Sequence, residues 1–159
     1  KTVKIIEQLP HDPEAYTQGL EFYKGVMYES TGQYGTSYLG EINPESGTII
    51  RKKDLSSEYF GEGITILDRT IYQITYQARK CFKYDMGFNL IGEFPYSGQG
   101  WGLTNDGKHL IMSNGSDKIF WRDPETFDIV REMYVFDDQT SATQMNELEL
   151  IDGNLFANI

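Results

Sequence analysis

Four segments of this chain follow one pattern: a short polar or aromatic lead, a strand, a tight turn and a second strand. They are Gln18-Gly19-Leu20-Glu21-Phe22, Glu62-Gly63-Ile64-Thr65-Ile66, Trp101-Gly102-Leu103-Thr104-Asn105 and Asn146-Glu147-Leu148-Glu149-Leu150. Turns at Lys24-Gly25, Asp68-Arg69, Asp106-Gly107 and Asp152-Gly153 follow, and each leads into an apolar run. The Asp-Gly steps are hairpin signals, because glycine takes the positive φ that such turns need. The second residues of the four segments stand 44, 39 and 45 residues apart. That is the period of a β-propeller blade.

A second pair of strands follows each of the first three. Tyr38–Ile42 turns through Asn43-Pro44-Glu45-Ser46-Gly47 and returns at Thr48–Arg51; Cys81–Tyr84 turns at Asp85–Phe88, and Ile119–Trp121 at Asp123–Thr126. Four strands per repeat make one blade, and no long window has the three-and-four apolar spacing of a helix. The expected fold is therefore all-β, an incomplete propeller of about three and a half blades, in preference to a sandwich or solenoid. Its parts are a closing outer strand within 1–14, blades over 15–57, 58–97 and 98–140, and the start of a fourth over 141–159. The closing strand is expected at Val3–Leu9, with its inner partners in a blade beyond the present sequence. On this count the chain is a fragment of a longer protein, or it pairs its open sheet edges with another copy of itself.

Composition removes several classes of function. A formal net charge of -10 leaves no basic face for nucleic acid. Cys81 is the only cysteine, which excludes an internal disulfide and a thiolate metal cage. No apolar run approaches a membrane span, so membrane insertion is not expected.

The repeat places Gln18, Glu62, Trp101 and Asn146 at one equivalent position, ahead of each innermost strand. In a propeller that position rings the axial mouth, so an amide, a carboxylate, an indole and a second amide are expected to converge. Each alone has a plainer reading as a turn or core residue, and Tyr76 reads first as a core aromatic. Gly98-Gln99-Gly100-Trp101-Gly102 lacks the spacing and the following helix of a phosphate loop. His11 and His109 lack ligand-like neighbours, which leaves zinc and a Ser-His-Asp triad without support. Asn114-Gly115-Ser116 fits a glycosylation sequon but reads as a turn.

Several blocks in order make the chain similar to the plant and bacterial type of glutaminyl-peptide cyclotransferase. They are His11-Asp12-Pro13 with Tyr16-Thr17-Gln18-Gly19-Leu20, Tyr28-Glu29-Ser30-Thr31-Gly32 with Tyr34-Gly35, Tyr59-Phe60-Gly61-Glu62-Gly63, Gly100-Trp101-Gly102-Leu103-Thr104 and Asn146-Glu147-Leu148-Glu149. The resemblance implies a five-bladed propeller that acts on peptides or proteins with N-terminal glutamine. It forms pyroglutamate and ammonia without a catalytic metal or other cofactor, in a secreted or periplasmic location. It implies Glu62 as proton shuttle, Gln18 and Asn146 as donors to the amide oxygen, and Trp101, Tyr76 and Tyr16 as pocket residues. Tyr76 stands where the family usually has tryptophan and Gln99 where it has glutamate, and further pocket residues of the family lie beyond Ile159. A non-catalytic propeller that binds peptides at the same mouth is the alternative; a metal-dependent hydrolase would need more ligands than Glu62 supplies.

Overall fold

A computed structural model describes residues 4–159 and contains strands but no helix among them. The first sheet orders β1 (Thr17–Tyr23), β2 (Val26–Thr31), β3 (Tyr38–Ile42) and β4 (Ile49–Asp54) side by side. The second consists of β5 (Gly61–Leu67), β6 (Thr70–Thr75), β7 (Lys80–Tyr84) and β8 (Leu90–Pro95). The third has β9 (Leu103–Asn105), β10 (Leu110–Ser113), β11 (Lys118–Arg122) and β12 (Ile129–Tyr134). A small hairpin of β13 (Phe136–Asp137) and β14 (Thr140–Ser141) follows, which the repeat does not foretell. The last pair is β15 (Leu148–Ile151) and β16 (Asn154–Ala157). Every ladder is antiparallel.

Turn chemistry explains why the chain reverses where it does. Lys24-Gly25, Asp68-Arg69 and Asp152-Gly153 each hold two successive positive φ values, the conformation that matches strand twist in a two-residue hairpin. The turns between third and fourth strands open on a residue whose side chain accepts from the backbone ahead. Asn43 Oδ1 takes the Glu45 amide at 2.9 Å, Asp85 Oδ1 the Gly87 amide at 2.8 Å, and Asp123 Oδ1 the Glu125 amide at 2.8 Å.

Apolar side chains fill the spaces between successive sheets. Tyr28 and Leu39 of the first sheet pack on Ile64, Ile66, Ile71 and Phe82 of the second. Ile74, Cys81 and Tyr96 pack on Leu103, Leu110, Met112 and Phe127 in the next interface, and Ile111 and Ile119 pack on Met145 and Leu148 in the last. Outer strands β4 and β8 alternate exposed with half-buried residues, whereas β5 is buried along its whole length. This is face-on stacking of twisted sheets around an axis, as in a propeller.

The outermost strand expected over Val3–Leu9 is not formed by its described part. Residues 4–9 join no ladder and are exposed, Ile6 at 92%, and Lys1–Val3 lie outside the described residues. A strand is held by backbone hydrogen bonds to a neighbour, and none of the described strands bonds to this segment. The chain is secured further along. Pro10 packs against Gly47, and His11 Nε2 meets the buried Glu29 carboxyl at 2.8 Å. Glu29 also accepts from Thr17 Oγ1 at 2.5 Å and Tyr38 Oη at 2.9 Å. His11, without a partner in the sequence reading, thus ties the entry segment to the first sheet.

Innermost strands touch through glycine. A methyl on Gly19 would lie 2.6 Å from the Ile64 nitrogen, one on Gly63 2.7 Å from the Gly102 carbonyl carbon, and one on Gly102 2.7 Å from the Leu148 nitrogen. The Gly63 amide donates to the Trp101 carbonyl at 2.7 Å, which joins two sheets by backbone alone. Gly63→Ala therefore has rigid backbone to displace and is expected to cost about 2–3 kcal/mol by urea denaturation. Gly92→Ala, whose methyl would meet only the Lys83 side chain at 3.7 Å, is expected to fall within about 1 kcal/mol of wild type.

Candidate active site

The four repeat-equivalent residues sit on irregularities of the ladder, all at the same end of the sheets. Register slips by one between Thr17 and Gly19, where Gln18 lies, and again between Gly61 and Ile64, where Glu62 lies. The amide of Trp101 and the carbonyl of Gly102 both bond to Ser113, and the amide of Asn146 and the carbonyl of Glu147 both bond to Asn158. Two residues opposing one is a β-bulge, which turns a side chain out of the pleat. Trp101 and Asn146 precede β9 and β15, whereas Gln18 and Glu62, expected ahead of their strands, lie within β1 and β5, because the bulges let those strands continue past them.

Gln18 and Glu62 meet directly. Gln18 Nε2 donates to Glu62 Oε2 at 2.7 Å, although 44 residues separate them. Glu62 is only 4% exposed, and burial pushes its carboxyl up to about 8, with the Gln18 hydrogen bond pulling weakly the other way. No cation contributes to its environment among the described residues. Taking an ionised carboxylate from water without a countercharge is costly, so proton binding is favoured.

Aromatic rings adjoin this pair. Phe60 lies between Tyr16, at 6.1 Å between ring centroids, and Tyr76, at 5.9 Å, and Tyr34 meets its edge at 5.5 Å. The Tyr76 carbonyl accepts from Gly100, which joins that wall to Trp101. Trp101 is half-buried, and its indole Nε1 donates to Gln99 Oε1 at 3.0 Å. An amide oxygen accepts here as a carboxylate oxygen would, so Gln99 holds the indole. Asn146 makes no side-chain bond to Glu62. Its Oδ1 is buried without a partner among the described residues, while its backbone carbonyl accepts from Ser113 Oγ at 2.7 Å.

Three residues absent from the sequence-based site belong to this neighbourhood. Phe60 is the hub of the aromatic wall, and Tyr34 extends it. Glu147 takes the position held by glycine in the other repeats, with Oε2 buried and unpartnered among the described residues. Burial is the largest cause holding its carboxyl well above the usual range; Glu149 and Glu62 add to it, and the Leu20 backbone hydrogen bond opposes it. The repeat contains the signal, since Gly19, Gly63 and Gly102 align with this glutamate. Deeper along the axis, Glu21, Thr65, Thr104 and Glu149 share one repeat position. Glu21 accepts from the Ile66 amide at 3.0 Å, and burial raises its carboxyl to about 7. Among the described residues, no three His, Cys, Asp or Glu side chains gather as a metal site.

The arrangement presents a proton-holding carboxyl, an amide that fixes it, a buried amide carbonyl and an aromatic wall at one mouth. Comparison with known proteins gives this mouth a context. The family profile described as glutamine cyclotransferase matches residues 1–159. A curated relative, the glutaminyl-peptide cyclotransferase of Arabidopsis thaliana, is 33% identical over 162 residues, which cover 99% of this chain and 50% of the relative. The crystal structure of Myxococcus xanthus glutaminyl cyclase superposes with a TM-score of 0.91 at 30% identity, covering 98% of this chain and 66% of that one. The Neurospora crassa Pan2 WD40 domain, at 15% identity and TM-score 0.64, covers 83% of this chain and 38% of its own, and shares the fold alone. The present chain thus spans about half the length of its curated relative. A match over its whole length places this chain in the glutamine cyclotransferase family.

Proposed function

We propose that the protein is a glutaminyl-peptide cyclotransferase, which closes the N-terminal glutamine of a peptide to pyroglutamate and releases ammonia. The observation that carries this reading is the buried Glu62 carboxyl, with Gln18 at 2.7 Å and no cation beside it among the described residues. In the reaction the α-nitrogen attacks the side-chain amide carbon. A carbon–nitrogen bond forms, the carbonyl oxygen gains charge, and the bond to the amide nitrogen breaks as that nitrogen leaves as ammonia. The α-nitrogen must lose a proton and the leaving nitrogen must gain one. One carboxyl can take the first and return the second. Its affinity for protons, near 8, is close to that of a peptide α-amine, about 7.7–8.0, so taking the proton from the α-nitrogen does not run far uphill.

The remaining residues position the reacting groups. Gln18 already spends an amide hydrogen on Glu62 and so orients the carboxyl, with its second N–H left for the substrate oxygen. The unpartnered Oδ1 of Asn146 is an acceptor for a substrate N–H, and its Nδ2 is a donor to the developing oxyanion. Trp101, Phe60, Tyr76 and Tyr16 would hold the glutaminyl chain curled, so that amine and amide meet. No step of this route calls for a metal ion. The five-blade ring, a location outside the cytoplasm and the peptide substrate class rest on the family membership.

Ammonia release from a glutaminyl peptide tests the reading directly. The rate, as kcat/KM, is expected to rise with pH up to about 8 as Glu62 and the substrate amine lose their protons. Glu62→Gln is expected to lower it roughly 100-fold or more. Full activity in that variant would remove the shuttle.

Stability carries the opposite mark of the same carboxyl. Between pH 4.5 and about 8 the folded protein keeps a proton on Glu62 that the unfolded chain has released, so stability falls as pH rises through that window. Glu62→Gln carries no such proton. Thermal denaturation is expected to show the variant gaining on wild type from pH 5 to pH 9, by about 3 kcal/mol. Parallel pH profiles for the two proteins would contradict the burial of this group.

A further inference from the structure

Two joins between neighbouring sheets at the mouth use the same backbone groups in different ways. Between the second and third sheets the Gly63 amide donates straight to the Trp101 carbonyl at 2.7 Å. Between the third sheet and the last pair, the equivalent amide and carbonyl belong to Gly102 and Asn146, and a hydroxyl stands between them. The Gly102 amide donates to Ser113 Oγ at 2.7 Å, and Ser113 Oγ donates to the Asn146 carbonyl at 2.7 Å. A hydroxyl holds one donor hydrogen and also accepts, so it can carry a hydrogen-bonded link from an amide on one sheet to a carbonyl on the next.

Ser113 acts on two residues of the mouth at once. It ends β10 and is fully buried. Its carbonyl accepts from the Trp101 amide at 3.2 Å, and its amide donates to the Gly102 carbonyl at 3.0 Å. With the two bonds of its hydroxyl, this one residue holds both the bulge that carries Trp101 and the main chain that carries Asn146. The Asn146 segment has a further hold, because the Glu147 amide donates to Asn158 Oδ1 at 2.8 Å. That bond stays within the last hairpin, whereas the hydroxyl reaches it from the third sheet.

We infer that Ser113 is a positioning residue of the mouth: its hydroxyl fixes the Asn146 main chain against the third sheet and so sets where the Asn146 side-chain amide stands relative to Trp101. The inference rests on the cyclotransferase reading for its effect on rate. In that reading Asn146 Nδ2 donates to the developing oxyanion, and such a donor works only when it is held at the right distance beforehand. Alanine at position 113 leaves the Gly102 amide and the Asn146 carbonyl without their bridge in a buried place, a cost that a shift of the Asn146 segment relieves. That shift weakens a contact made in the transition state more than one made in the ground state, so the loss falls on kcat.

The test is a double-mutant cycle on ammonia release from a glutaminyl peptide, with Ser113→Ala, Asn146→Ala and the two together. Ser113→Ala is expected to lower kcat per folded molecule roughly 10- to 100-fold and to leave KM within about threefold. Asn146→Ala keeps the carbonyl that Ser113 holds, so adding Ser113→Ala in that background is expected to cost less than about threefold. Equal losses in both backgrounds would overturn the inference, since Ser113 would not be acting through Asn146. Ser113→Cys, whose thiol is a weaker donor and acceptor, carries the same cycle with smaller losses where the alanine variant does not fold. Amide hydrogen exchange needs no substrate and so separates this inference from the reading it rests on. In Ser113→Ala the Gly102 and Glu147 amides are expected to exchange at least about 10-fold faster, with those of β6 unchanged. An unchanged Glu147 amide, or an equal rise at every site, would sink the bridge whatever the catalytic result. A wild type that releases no ammonia, with the local rise present, would sink the cyclotransferase reading and keep the bridge.

Discussion

The innermost strands stand close enough for backbone to touch backbone, and the rest of the mouth depends on that contact. Gly19, Gly63 and Gly102 have no room for a methyl group, and the Gly63 amide reaches the Trp101 carbonyl of the neighbouring sheet. Each of these glycines lies beside a bulge, and each bulge turns one side chain toward the axis. Close approach and side-chain direction are therefore one feature. Widening the spacing between inner strands would also separate Gln18 from Glu62, since those two side chains bridge the first and second sheets.

Burial then sets the chemistry. Glu62 is shut from water by the same strand contacts, with one amide to hold it and, among the described residues, no cation to neutralise it. Its proton affinity rises for that reason, and so does the free energy of keeping it ionised in the fold. The axial column below it follows the same rule, with Glu21 near 7 and Glu149 raised mainly by burial. The axial end is thus rich in carboxyls whose proton affinity is raised by burial, a property of the enclosure rather than of any single residue type.

The repeat was legible because its punctuation is local. A turn such as Asp152-Gly153 or Asn43–Gly47 is decided by residues adjacent in the chain, and their spacing returns the blade period. The equivalence of Gln18, Glu62, Trp101 and Asn146 was legible for the same reason. Phe60 was not. It reads as one more aromatic before a glycine, and its place as hub of Tyr16, Tyr34 and Tyr76 depends on three segments distant in sequence. The His11–Glu29 contact was also hidden, because neither residue has a local reason to seek the other. The segment expected as a strand over Val3–Leu9 has no partner among the described strands: apolar residues give a segment the tendency to be a strand, but only a neighbour's hydrogen bonds make it one.

Sequence alone determined the all-β class, the blade period, the turns and the repeat position shared by Gln18, Glu62, Trp101 and Asn146. All of these follow from periodicity and from φ preferences that act over a few residues. Tertiary structure decided the bulges that turn those residues inward, the proton affinity of Glu62 and the hydroxyl bridge at Ser113. Each of these is a matter of which atoms lie within a few ångströms across different sheets. Strand pairing and sheet stacking create such distances; adjacency along the chain does not.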